Sequence, residues 1–221
     1  MGIKGDLTKL FNRDYLARLD NIKQWLEYDR HQQESVSQHS FKVSVFAMSL
    51  LDYFWPTLDD GRHTLAIKYR TLKMALLHDF DEAILRRDIT HEVKYNDFNG
   101  DDIRRVLDKY VDHQMQVELD SAQEGSDIRD TLDENTTDYK LCHAVVKVAD
   151  WMALLYFLNR EIALGNVGWP AELKPYCVSN FEVAVTRLHE VLIAWGIHRE
   201  SHPIHTDTEK TNYILKIIHE S

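Results

Sequence analysis

Residues 137–164 read TDYKLCHAVVKVADWMALLYFLNREIAL. The run holds no glycine or proline, its apolar residues recur with helical period, and Gly165 follows it as a stop. It reads as one long helix. Its centre, Val145 to Leu155, is the most apolar helical stretch of the chain, and Asp150 lies inside it. A carboxylate there needs an ion pair, a hydrogen bond or a metal, because an unpaired buried charge is far too costly. Asp150 also keeps the 148–158 run from reading as a membrane span, which needs about eighteen or more apolar residues.

Helical period continues on both sides of this run. Asp6 to Tyr28 repeats apolar residues at Leu7, Leu10, Phe11, Tyr15, Leu19, Ile22 and Leu26. Ser35-Val36-Ser37-Gln38 is a capping box that opens a helix from Val36 to Phe54, with Pro56 as its stop. Thr57 to Arg62 reads as a turn, 64–78 as a helix and 81–86 as a short one close behind. The spacing predicts a further helix over 101–119, an acidic loop over 121–135 and a helix over 181–195 closed by Gly196. A second capping box, Thr206-Asp207-Thr208-Glu209, starts a terminal helix. No internal repeat or alternating strand pattern interrupts the series, and the 165–176 stretch is too short to divide two domains. The expectation is an all-α, single-domain helical bundle over 1–221. Its motif-bearing core spans about 20–160, and the helices of 181–221 pack on it.

Composition narrows the function. The chain has 221 residues, 44% apolar and 28% charged, which excludes wholesale disorder. Eight glycines and four prolines are too few for a turn-rich β-sandwich. Lys+Arg of 26 against Asp+Glu of 36 gives a net charge of −10, the wrong sign for a duplex-binding footprint. A small phosphorylated ligand stays open, because a metal ion inverts the local field. Cys142 and Cys177 are neither a disulfide framework nor a zinc-finger quartet, and the first residues hold no apolar signal region. The expectation is a soluble cytoplasmic protein, with neither nucleic acid nor membrane as partner.

The chemistry starts at His78-Asp79, which ends the apolar run Met74-Ala75-Leu76-Leu77. His39 lies just past the first capping box. Taken singly, each has a plainer reading: a core histidine, or a carboxylate paired with a lysine. Taken together, His39, His78, Asp79 and Asp150 offer two imidazoles and two carboxylates from three helices. That mixed nitrogen and oxygen set suits a divalent transition metal with positions left open for water and substrate. Inward ligands from facing helices are the usual way a helical bundle builds such a site.

These residues, in this order, resemble the HD-domain metal phosphohydrolases, whose ligands run H…HD…D. The likeness is greater to the bacterial 5′-deoxynucleotidases (YfbR-like) and the phage dATP triphosphohydrolases (DatZ type). Glu34-Ser35-Val36-Ser37-Gln38-His39-Ser40 resembles their E-x-V-x-E-H-S box, and His78-Asp79-Phe80-Asp81-Glu82 their H-D-x-x-E. Asp88-Ile89-Thr90-His91-Glu92-Val93-Lys94-Tyr95 is similar to their D-L-x-T-P-V-K-Y loop, and Lys147-Val148-Ala149-Asp150 to their K-x-A-D.

The resemblance implies a role for each matching position. His39, His78, Asp79 and Asp150 would hold a divalent metal: zinc, cobalt or manganese, or magnesium. Glu82 would accept a proton from the attacking water, and Asp88 would orient that water or protonate the leaving oxygen. Lys94 and Lys147 would clamp phosphate, and Trp25 would crowd the sugar 2′ position and favour deoxyribose. Departures bear on the substrate. Gln24 stands where the deoxynucleotidases carry a phosphate-holding arginine, Gln38 replaces the second glutamate of the first box, and His91-Glu92 replaces T-P. The implied activity is hydrolysis of 2′-deoxyribonucleoside 5′-phosphates. Without the arginine, the balance tips from a dNMP 5′-nucleotidase toward a dNTP triphosphohydrolase acting on dATP. A non-catalytic nucleotide sensor is the more distant alternative. The expected partners are a small-molecule deoxynucleotide and further copies of the chain, as a dimer or hexamer. The expected location is the cytoplasm, the host's if a phage encodes the protein.

Overall fold

The computed structural model describes residues 15–25, 28–54, 61–85 and 137–197, together with Tyr213 and Lys216. The fold is all-α: the elements are α1 (Tyr15–Asn21), α2 (Val36–Phe54), α3 (Gly61–Leu77), α4 (Phe80–Leu85), α5 (Thr137–Ala163) and α6 (Trp169–Ile197). Among the described residues the one extended pairing is an isolated antiparallel bridge, Lys23 to Ser35. The expected helix over 101–119, the 121–135 loop and the second capping box lie outside the described residues.

The chain divides into two compact units, and each is built differently. The first holds α1, the bridge, residues 33–39, the His78-Asp79 turn and α4. Its helix α1 ends at Asn21, earlier than the apolar pattern of 6–28 predicts. The reason is where the next backbone groups go. Ile22 O accepts the Val36 N–H at 3.0 Å, and the Gln24 N–H donates to Glu34 O at 3.0 Å, so the chain leaves the helix for the bridge. Ile22 remains buried there. The capping box over 35–38 forms as read, with the Ser35 N–H donating to Gln38 Oε1 at 2.9 Å and the Gln38 N–H to Ser35 Oγ at 3.3 Å. Gln38 is exposed and spent on the cap.

The second unit holds residues 30–32, the remainder of α2, most of α3, α5 and α6. Helix α5 packs lengthwise on α6. Leu141, Val145, Val148, Leu155 and Leu158 of α5 and Phe181, Val185, Leu188 and Leu192 of α6 are buried. By length and composition α5 passes as a membrane span, yet 67% of its most apolar window is buried inside the protein. It is a core helix. Gly165 ends it as expected, in the left-handed region at φ +96°, with the Asn166 N–H returning to Glu161 O at 3.0 Å.

Helix α6 starts earlier than the period over 181–195 predicts and runs on through Gly196. Gly168 O accepts the Ala171 and Glu172 amides, and Pro170 falls in the first turn, where a missing N–H costs nothing. Pro175 sits inside the helix, on its exposed side, and forfeits one backbone hydrogen bond. Helix α3 likewise opens at Gly61, inside the expected turn. Cys142 and Cys177 are free thiols, both buried, and burial pushes the Cys177 thiol up to about 12.

Glu161 is the unexpected residue of this unit. It is fully buried on α5, and its carboxylate accepts the His31 N–H, the Gln32 N–H and the Asn166 side-chain amide, each at 2.9 Å. Burial alone would raise its pKa. The hydrogen bonds from His31, Asn166 and Gln32, with the His31 charge, outweigh burial and hold it below the usual carboxylate range.

Candidate metal centre

In the first unit, His39 falls one turn past its cap, the His39 N–H donating to Ser35 O at 2.9 Å. The sequence fixes that position: a cap at Ser35 places residue 39 on the first full turn of α2. His78 and Asp79 occupy the two-residue turn between α3 and α4. Asp79 is a good residue for the start of a helix, and its carbonyl accepts the Glu82 N–H at 3.1 Å as α4 opens. The two imidazoles meet, ring centroids 5.3 Å apart. Asp79 Oδ2 lies 3.1 Å from His78 Nε2, with side-chain exposures of 8% and 11%.

That spacing suits a shared cation. Two donors each about 2.1 Å from one ion, at a right angle, lie about 3.0 Å apart. His39 Nδ1 lies 3.6 Å from Glu34 Oε1, so a buried carboxylate stands behind the first imidazole. Outer carboxylates of this kind orient ligand histidines and raise their basicity. Glu34 had no assigned role beyond opening its box; its burial is the signal that sequence cannot give. Glu82 is fully buried, which sets it apart from a solvated acid at a helix start.

In the second unit, Lys147 and Asp150 share one face of α5, with Nζ 3.6 Å from Oδ2. Asp150 is half-buried at 26% side-chain exposure, more open than its apolar surroundings predict. An exposed pair at this helical spacing contributes only a few tenths of a kcal/mol. That is a weak reason for a carboxylate in the most apolar helix. A divalent cation is the better reason: His39, His78 and Asp150 are a His-His-Asp group that could hold one. Two imidazoles and a carboxylate fit a divalent cation, and Asp79 adjoins the set through His78.

Trp25 stands in the turn after the bridge, half-buried, with its ring 6.1 Å from that of Tyr28. Its φ of 61° is in the left-handed region, a strain of about 1–3 kcal/mol for a residue this bulky. No periodicity argument finds such a feature. Gln24 beside it is buried. Asp88 and Lys94 lie outside the described residues.

A helical fold carrying histidine, His-Asp pair and distant aspartate in that order is the fold of an HD-domain phosphohydrolase. A solved structure of an HD-domain phosphohydrolase from Listeria innocua is similar, with 20% identity, a TM-score of 0.54, and coverage of 95% of this chain and 86% of that one. At that identity the likeness is one of fold. The family model described as 5′-deoxynucleotidase YfbR-like matches residues 11–175, and the chain belongs to that family. No curated protein matches it. The activity class is metal-dependent phosphohydrolase.

Proposed function

We propose that this protein hydrolyses 2′-deoxyribonucleoside 5′-phosphates, and that a dNTP is its substrate, released as deoxynucleoside and triphosphate. The observation that carries the hydrolase reading is the fully buried Glu82, its N–H bonded to Asp79 O at 3.1 Å, in the unit where the two imidazoles face each other. His39, His78, Asp79 and Asp150 would hold the cation. When bound, a divalent cation supplies Lewis-acid activation of water and neutralises phosphoryl oxygen.

The rest is the work of this chain's residues. Glu82 takes the proton of the attacking water as its oxygen bonds to the α-phosphorus, and the bond from phosphorus to O5′ breaks. Asp88 orients the water or returns a proton to O5′. Lys94 and Lys147 hold the phosphate oxygens, which a surface of net charge −10 does not help to bind. Trp25 lies against C2′ and disfavours a ribose hydroxyl. The buried thiols of Cys142 and Cys177 suit a reducing cytoplasm.

A second reading, the dNMP 5′-nucleotidase, is favoured by the family's own description. Gln24 weighs against it, because a neutral amide stands where the family's arginine would grip a lone phosphate. One assay separates the two. The pure protein is incubated with each dNMP and dNTP plus Mn²⁺, Co²⁺ or Mg²⁺, and the products are resolved by chromatography. Triphosphate released from a dNTP, and a Lys147→Ala loss of about 1.5–3 kcal/mol in transition-state binding, fit the first reading. Phosphate released from dNMPs alone, with Lys147→Ala tolerated, establishes the second.

A further inference from the structure

Residues 28–35 form no helix before α2 begins, yet they carry Glu34 and lead directly to His39. Their far end is fastened by backbone bonds: Gln24 N–H to Glu34 O and Val36 N–H to Ile22 O, both 3.0 Å. Nearer their start, one side chain takes two successive amides. Glu161 accepts the His31 N–H on Oε2 and the Gln32 N–H on Oε1, each at 2.9 Å, and Gln32 Nε2 donates to Phe157 O at 3.4 Å. A charged acceptor buried at 0% exposure is costly unless its bonds are made, and here both oxygens are engaged. The sequence around Glu161 carries none of the motifs that mark the site.

We propose that Glu161 is a positioning residue: its carboxylate fixes the 31–32 backbone from which the chain reaches Glu34 and the ligand His39. The inference rests on His39 serving as a metal ligand. Two consecutive amides on the two oxygens of one carboxylate define both the place and the orientation of the peptide between them. Asn166 donates Nδ2 to the same Oε2 at 2.9 Å and so braces the carboxylate. Glutamine at 161 cannot replace it. One of the two oxygens becomes an NH₂ donor, which faces an N–H and orphans it.

The test measures Mn²⁺ affinity by titration calorimetry on wild type, Glu161→Gln and Asn166→Ala, with amide hydrogen exchange over 28–39 and circular-dichroism melts. Expected for Glu161→Gln are exchange at residues 31 and 32 faster by tenfold or more and Mn²⁺ affinity weaker by about tenfold, the low end for outer-shell changes. Asn166→Ala should lower the melting temperature while binding Mn²⁺ as wild type does. If Glu161→Gln does not fold, Gln32→Pro removes one accepted N–H with Glu161 intact and should show the same loss of affinity. Equal affinity in wild type and the variant that disturbs the tether overturns the proposal, as do equal losses in Glu161→Gln and Asn166→Ala. A wild-type protein that binds no Mn²⁺ overturns the metal reading itself, and this inference with it.

Discussion

Two regions of the molecule hold their shape by different means. Helices α5 and α6 are long, regular and packed through buried leucine, valine and phenylalanine side chains. The 22–39 segment leaves its helix early and is pinned by a bridge, a cap, a strained Trp25 and the carboxylate of Glu161. The first kind of order is spread over many small contacts and survives the loss of any one. The second rests on a few directional bonds. It places single atoms well, as a metal ligand requires, and it fails abruptly.

The comparison is sharpened by variants that strike one kind of order and spare the other. The largest effect belongs to the site. His78→Ala should reduce phosphohydrolase turnover by well over about a hundredfold, beyond the range for outer-shell changes, and abolish Mn²⁺ retention. Its melting curve should stay near wild type, and normal metal binding by this variant would misplace the site. Glu82→Gln should lower kcat by about 10²–10⁴, the range for loss of a general base, with Mn²⁺ still bound in calorimetry. In the helical pair, Leu188→Ala should cost about 2–5 kcal/mol in urea unfolding, because it empties a fully buried volume. Metal affinity per folded molecule should not change.

The smallest effect concerns acid. Glu161 binds a proton less readily in the folded state than in the unfolded one. Its contribution is therefore fully present above the ordinary glutamate range and is lost as pH falls through the depressed folded value. Wild type should lose stability below that range more steeply than Glu161→Gln, whose residue 161 does not titrate. Parallel stability curves for the two proteins would show that Glu161 has no depressed pKa.

What was legible in the sequence follows the same division. Val36–Phe54 and the helix from Thr137 emerge from periodicity and caps because helical burial repeats and sequence records the repeat. His39 and the His78-Asp79 turn emerge from short boxes, since the helix start and the tight turn are local events. The early end of α1 at Asn21 does not emerge, because its cause is pairing with residues ten and fourteen positions away. Glu161 is hidden for the same reason, with partners 129 and 130 residues distant. The early start of α6 was hidden by Pro170 and Pro175, which read as loop punctuation and act instead as a first-turn residue and a tolerated exposed break.

Cys142 and Cys177 have a practical consequence. Both thiols are enclosed, and that of Cys177 is held at about 12, so at neutral pH the folded chain offers a labelling reagent almost no reactive sulfur. Modification of Cys177, which lies on α6, must wait for that helix to open. The rate at which a thiol probe reacts therefore serves as a clock for opening, with no engineered reporter. Slower labelling when Mn²⁺ is added would measure in minutes and hours how much of the fold's resistance to opening the cation supplies.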